Sequence, residues 1–213
     1  NNPLKNLNYN KLLAILFNEL EQHNFEKRYF IALAGPPASG KSTISEKLNK
    51  DLIQKGISSG ILQMDGFHFD DSILLSKKLL SKKGSPETFD VMGLKNILVR
   101  LRHEDEVVVP VFDRSLELSR SSAVIISKQT KLIIVEGNYL LLKSHPWDLL
   151  KEFFDSSIMI NCDEKTLEQR LIKRWKSFNY SNEEINQKVY NNDLPNALNV
   201  MKNSSKSDFI LDS

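Results

Sequence analysis

Gly35-Pro36-Pro37-Ala38-Ser39-Gly40-Lys41-Ser42 is the stretch from which the rest of the chain is read. Its spacing is G-x-x-x-x-G-K-[ST]. Glycine lets the backbone curl so that successive N–H groups point inward at phosphate oxygens. A helix that follows presents its positive end to the same anion. In that geometry Gly35, Ala38, Ser39, Gly40, Lys41, Ser42 and Thr43 are the nucleotide-contacting residues. Lys41 is also a catalytic candidate, reaching the β- and γ-phosphates as a mobile point charge, and the Ser42 hydroxyl is a Mg²⁺ ligand. Pro36 and Pro37 have no N–H to donate, so the cradle is built from Ala38 onward. The context agrees. The apolar run Tyr29 to Ala34 reads as a buried strand meeting a tight loop, and Lys41 to Gln54 reads as the helix behind it.

Outward from the loop, strand and helix patterns alternate. Before it, Tyr9 to His23 carries apolar residues at helical spacing, Leu12, Leu13, Leu16, Phe17 and Leu20. After it, Ile61 to Asp65 reads as a second strand ending in an acid. Asp71 to Leu80 and Val91 to His103 read as helices, and Val107 to Phe112 and Ala123 to Ile126 as extended segments. Pro110 makes the first of these an edge or non-central strand. Lys131 to Gly137 is the clearest buried strand and Ser157 to Asn161 another. Helices are expected over Glu164 to Trp175 and over Glu183 to Met201, interrupted at Pro195, with a last short strand over Asp208 to Leu211. The pattern predicts one α/β domain over residues 1–213: a three-layer sandwich of about five parallel strands with helices on both faces. Residues 1–27 form an N-terminal helix and 164–185 a helical lid.

Two acids end predicted strands. Glu136 follows Leu132-Ile133-Ile134-Val135, the place where Mg²⁺ beside such a loop needs a carboxylate, held directly or through water. Asp65 ends the strand from Ile61, and C-terminal strand ends border the ligand crevice of a doubly wound sheet. A carboxylate there accepts the proton of an attacking hydroxyl, or acts on Mg²⁺; both roles stay open for Asp65. Asn138 and Tyr139, just beyond Glu136, are expected to line the same crevice.

Composition excludes several classes. Net charge is +2, from 29 basic and 27 acidic residues, which gives no nucleic-acid or membrane footprint. Basic pairs such as Lys77-Lys78 and Lys82-Lys83 read as solvated faces. With one cysteine, Cys162, there is no internal disulfide and no CxxC metal site, which suits a reducing, cytoplasmic setting. No apolar stretch approaches the ~20 residues of a membrane span. Four scattered histidines make no zinc site.

Taken together, the loop motif and Met64-Asp65-Gly66-Phe67-His68, Lys83-Gly84-Ser85-Pro86-Glu87-Thr88-Phe89-Asp90, Val109 to Arg114, Val135 to Leu141 and Asn192 to Ala197 resemble the phosphoribulokinase/uridine kinase family. The resemblance is to a branch labelled "fructose transport system kinase", related to bacterial pantothenate kinase, and runs from Phe30 onward. It implies ATP bound at the loop and phosphoryl transfer to an alcohol. It implies Asp65 as base, Asp90 as an acceptor contact, Phe112-Asp113-Arg114 as an acceptor segment, and Arg170 and Arg174 as lid arginines. The residues agree on the last point: positions four apart share a helix face, and two guanidiniums there clamp phosphate oxygens or stack on adenine. Asp-Gly-Phe-His departs from the Asp-x-Phe-Tyr of typical uridine kinases. The acceptor candidates are a sugar, a pantothenate-like alcohol and a nucleoside, with Phe67, His68, Asp90, Arg114, Asn138 and Tyr139 as contacts. His68 is otherwise an ordinary loop histidine. The competing reading is a regulatory P-loop NTPase with no small-molecule acceptor. A homodimer is left open.

Overall fold

The computed structural model describes residues 4–213. Six parallel strands form the central sheet: β1 (Leu4–Leu7), β2 (Tyr29–Ala34), β3 (Ser59–Gln63), β6 (Leu132–Glu136), β7 (Ser156–Asn161) and β8 (Phe209–Asp212), in the order β1-β8-β7-β2-β6-β3. An antiparallel hairpin, β4 (Val107–Asp113) and β5 (Leu118–Ile126), stands apart from it. The expected five-stranded sheet is present; β1 is the sixth strand, an addition on its far edge. Pro110 sits where the hairpin register shifts between Val109 and Val111, as its missing N–H requires.

Alternation along the buried strands sends neighbouring side chains to opposite faces. Phe30, Ala32 and Ala34 of β2, with Ile133 and Val135 of β6, enter one core. Ile31 and Leu33, with Leu132 and Ile134, enter the other. The first core is closed by α4 (Val91–His103), the inner side of the hairpin and the segment from Tyr139 to Leu142. The second is closed by α1 (Tyr9–Glu21) and α2 (Lys41–Gln54). Both faces of the middle strands are dry, which is why they read as unbroken apolar runs rather than alternating ones.

A third, smaller core lies under α5 (Glu164–Lys176), α6 (Asn182–Lys188) and α7 (Leu194–Asn203), built from Leu167, Leu171, Ile185, Val189, Leu194 and Ala197 with Cys162. The Cys162 thiol is buried there. The interruption expected at Pro195 lies just before it, in a π-helical turn over Val189–Asp193; Pro195 itself occupies the first turn of α7, where no N–H is needed. The helix expected over Asp71 to Leu80 is shorter, α3 (Asp71–Ser76). Side-chain caps fix the helix starts: Asn8 on α1, Asp90 on α4, Asp163 on α5, and a reciprocal Ser181–Glu184 box on α6.

Candidate active site

The phosphate loop spans the end of β2 and the start of α2. Gly40 has φ +89° and Ala38 φ 63°, the left-handed turns that wind the backbone into a cradle. Ser39 N donates to Pro36 O at 3.2 Å and Lys41 Nζ to the same carbonyl at 2.9 Å. Ser42 and Thr43 are exposed at the start of α2. The buried Ser39 hydroxyl has no partner, so the cradle holds an unspent hydrogen-bonding group. These features fit a nucleotide phosphate chain.

Behind the loop, Lys41 is only 8% exposed. Burial lowers its pKa, while the charges of Glu136 and Asp65 pull the other way. Glu136 is 7% exposed and is pushed up to about 7, first by burial, with Lys41 opposing. Glu136 pairs in register with Leu33 of β2 and Gln63 of β3, so it closes the strand that lies between them. Among the described residues no three His, Cys, Asp or Glu side chains cluster as a self-sufficient cation site. A donor set of Ser42, Glu136 and Asp65 suits an ion that also takes phosphate oxygens and water.

Asp65 lies beyond the strand predicted to end on it. β3 stops at Gln63, and Met64–Phe67 forms a 3₁₀ turn. Two glycines let this turn approach its neighbours. A Cβ on Gly137 would lie 2.3 Å from Met64 Cβ, and one on Gly66 would lie 3.0 Å from Pro110 O. The hairpin secures the turn from the other side, with Ser119 Oγ donating to Asp65 O at 3.2 Å. Asp65 then faces Arg114 Nη2 at 3.6 Å and His68 Nε2 at 3.7 Å.

His68 is packed between two rings, with centroids 4.1 Å from Phe89 and 4.8 Å from Phe112. Burial pulls its imidazole down to about 4 despite the Asp65 carboxylate, so it is neutral; its Nδ1 is buried without a partner. Phe67 is 8% exposed and belongs largely to the core. Asp90 is exposed; its carboxylate caps α4 through Gly93 N, and its N–H donates to Phe67 O, which ties α4 to the Asp65 turn. Asp113 is bound into its own turn by Ser115 and pairs with Arg120 at 3.2 Å.

Two expectations are corrected. Tyr139 does not line an open crevice: it is fully buried, edge-on to Phe89 and Trp147, and its hydroxyl donates to Gly84 O at 2.6 Å. Apolar neighbours and one carbonyl claim all of it, so it props up the 84–88 loop. Asn138 beside it is half-buried. Lys83 is not part of a solvated face: its ammonium binds Asp71 at 2.8 Å and Glu117 O at 2.7 Å, closing the cleft beside His68. Its partners are distant in sequence, so no local pattern could have marked it.

α5 brings the arginines to the loop. Arg170 Nη1 donates to Ala38 O at 3.2 Å. Arg174 is half-buried beside the Trp175 ring, and its charge is felt at Lys41. Trp175 is a packing residue whose Nε1 donates to Asp193 at 2.6 Å. Asn192, in the same π turn, donates to Lys83 O at 3.0 Å. The α5–α7 layer thus touches both the phosphate loop and the loop carrying Lys83.

The sheet with its glycine-turned loop, buried lysine and strand-end acid defines a P-loop nucleotide-binding protein. A family model described as an AAA domain matches residues 31–190. An uncharacterised Escherichia coli K12 protein, YggC, is 33% identical over 208 residues, covering 96% of this chain and 86% of that protein. The putative uridine kinase C227.14 of Schizosaccharomyces pombe is 30% identical over 204 residues, covering 91% and 86%. The crystal structure of a putative fructose transport system kinase from Silicibacter sp. TM1040 superposes with a TM-score of 0.87 at 33% identity, over 93% of this chain and 98% of that one. Within the P-loop proteins, the chain belongs to the phosphoribulokinase/uridine kinase family of kinases. It spans about half the length of the pantothenate kinase of Enterococcus faecalis, 49%, at 29% identity.

Proposed function

We propose that this chain is an ATP- and Mg²⁺-dependent kinase that transfers the γ-phosphate of ATP to a hydroxyl of a small metabolite. One observation carries the reading: Asp65, bordered by Arg114 at 3.6 Å and His68 at 3.7 Å, follows β3, whose last residue Gln63 pairs with Glu136 of β6, and the buried Lys41 opens the helix after the loop. A base, a phosphate-binding cation and a metal-type acid then share one cleft.

The backbone of 38–43 holds the phosphate chain, and Lys41 faces the transferring group. Ser42 and Glu136, with Asp65 directly or through water, would hold Mg²⁺, which would supply charge neutralisation at the phosphate oxygens. Asp65 accepts the acceptor's hydroxyl proton, and Arg114 keeps that carboxylate aimed. Arg170 and Arg174, on a lid over residues 164–185, screen charge on the transferring group. His68, Asp90, Arg114 and Asn138 surround the acceptor, with Phe67 beneath them. Residues 1–213 act as one domain, in the cytoplasm.

Among acceptors, the cleft favours a sugar or a pantothenate-like alcohol over a nucleoside. Its rings are spent on each other: His68 stacks on Phe89 and Phe112, and Phe67 and Phe89 are buried. Little aromatic face is left as a platform for a base.

The test is ADP release from Mg-ATP across fructose, other sugars, pantothenate, uridine, cytidine and ribulose 5-phosphate. Strong stimulation by one compound is expected. ATP binding with no stimulation by any compound in the panel would move the reading to a regulatory NTPase.

A further inference from the structure

One cavity lies away from the phosphate loop. It encloses about 490 Å³ and is walled by Leu140–Leu142, the Trp147–Phe153 turn, the start of β7 and the segment leading into β8. Asp155, Ser157 and Asp208 stand at the starts of β7 and β8, whereas the phosphate loop follows the end of β2. A parallel strand rises about 3.3 Å per residue, so the ends of β7 are roughly 20 Å apart. The cavity therefore opens at the opposite edge of the sheet from Lys41. Its volume is in the usual range for small-molecule pockets.

The hydrogen-bonding inventory of its wall is one-sided. Each of the three carboxylates already has a partner. Asp155 accepts from Phe30 N at 2.8 Å and Arg102 at 2.9 Å, Asp208 accepts from Ser157 N at 2.9 Å, and Asp148 pairs with His145 at 3.1 Å. The three ammoniums of the wall are not. Among the described residues, Lys143, Lys151 and Lys206 have no carboxylate or carbonyl partner. The wall behind these groups is apolar, formed by Leu140, Leu141, Leu142 and Phe154. What the cavity offers an anion is three unpaired ammoniums and an apolar patch, beside carboxylates that already have partners.

We propose that this cavity is a second binding site, separate from the phosphate loop, for a small organic anion: a phosphate or carboxylate held by Lys143, Lys151 and Lys206, with its carbon body against Leu141 and Phe154. The three lysines are exposed, so their conformational freedom is lost only when the anion arrives, and binding weakens as salt screens them.

Titration of the full chain by two-dimensional amide NMR tests this, with phenyl phosphate, inorganic phosphate, benzoate and benzyl alcohol as probes. Phenyl phosphate and benzoate are expected to give saturable shifts at the amides of Ser157, Ser205 and Asp208. Inorganic phosphate is expected to bind there more weakly and benzyl alcohol not to saturate. A Lys143→Ala/Lys151→Ala/Lys206→Ala variant should weaken the phenyl phosphate response at least tenfold. Lys151→Glu alone, an exposed change, should weaken it in the same direction if the triple variant folds poorly. Shifts confined to residues 38–43, unchanged affinity in the lysine variants, or equal binding of the neutral alcohol would each overturn the site. Equal affinity for inorganic and phenyl phosphate would overturn the role of the apolar wall.

Discussion

Arg114 holds its guanidinium 3.6 Å from the carboxylate of Asp65, reaching from the β4–β5 turn to the turn that follows β3. The two residues are far apart in sequence, and the hairpin brings them together. Arg114 is 56% exposed on its side chain, so the pair contributes little to stability in water. Its consequence is functional: a cation beside the base orients the carboxylate and leaves an edge free for an acceptor. Arg114→Ala is expected to lower kcat/KM for the acceptor by roughly 10- to 100-fold, through loss of the cation beside the base. KM for ATP should stay within about threefold. Steady-state kinetics with each substrate varied in turn checks this; an equal loss for both substrates would contradict it.

Asp65→Asn keeps the shape of the turn and removes the proton acceptor. Transfer should fall by roughly 10²-fold or more, with ATP affinity retained. Calorimetric ATP binding beside single-turnover transfer separates the two quantities. Transfer at the wild-type rate would take the base role from Asp65.

Gly137→Ala probes the packing that places Asp65 near Glu136. The new methyl would meet Met64 Cβ at 2.3 Å, and Met64 is fully buried, so the Asp65 turn must shift. A stability loss of about 1–3 kcal/mol is expected in denaturant unfolding. Activity should fall with it, because the displaced segment carries the base.

His68 makes stability depend on pH. Its imidazole sits at about 4 in the folded chain and near 6.5 when unfolded, because burial disfavours the charged ring. The unfolded chain therefore binds the proton first. The stabilisation is fully present above about pH 6.5 and is lost as pH falls towards 4. For a side chain 10% exposed, the difference amounts to about 3 kcal/mol. Denaturant unfolding of wild type and His68→Gln from pH 7 to pH 4 checks it. The wild type should lose more stability than the variant across that range, and parallel curves would contradict the buried neutral ring.

Sequence made the sheet and the phosphate loop legible because both are local. Apolar runs of strand length, and a glycine-lysine spacing that only a tight loop satisfies, carry their own geometry. Helix α2 and helix α4 have the limits their patterns imply, Lys41–Gln54 and Val91–His103. The less legible features depend on contacts between distant segments. Lys83 reads as a surface basic residue until Asp71 and Glu117 are brought to it. Tyr139 reads as a crevice residue because it follows Glu136, yet the aromatic core of Phe89 and Trp147 claims its ring. Arg28 gives no sequence signal at all. It is 7% exposed and donates to the carbonyls of Thr130, Leu101, Glu104, Asp105 and Ser127, joining β2 to the loops around α4 and β5.

The central claim is that this cleft moves phosphate from ATP to a hydroxyl rather than to water. The most direct measurement is a ³¹P NMR spectrum of Mg-ATP turned over with the acceptor that most stimulates ADP release. A new phosphomonoester resonance, growing in step with ADP and absent with Lys41→Ala, is the predicted result. Growth of inorganic phosphate alone, at a rate indifferent to every acceptor, would contradict it.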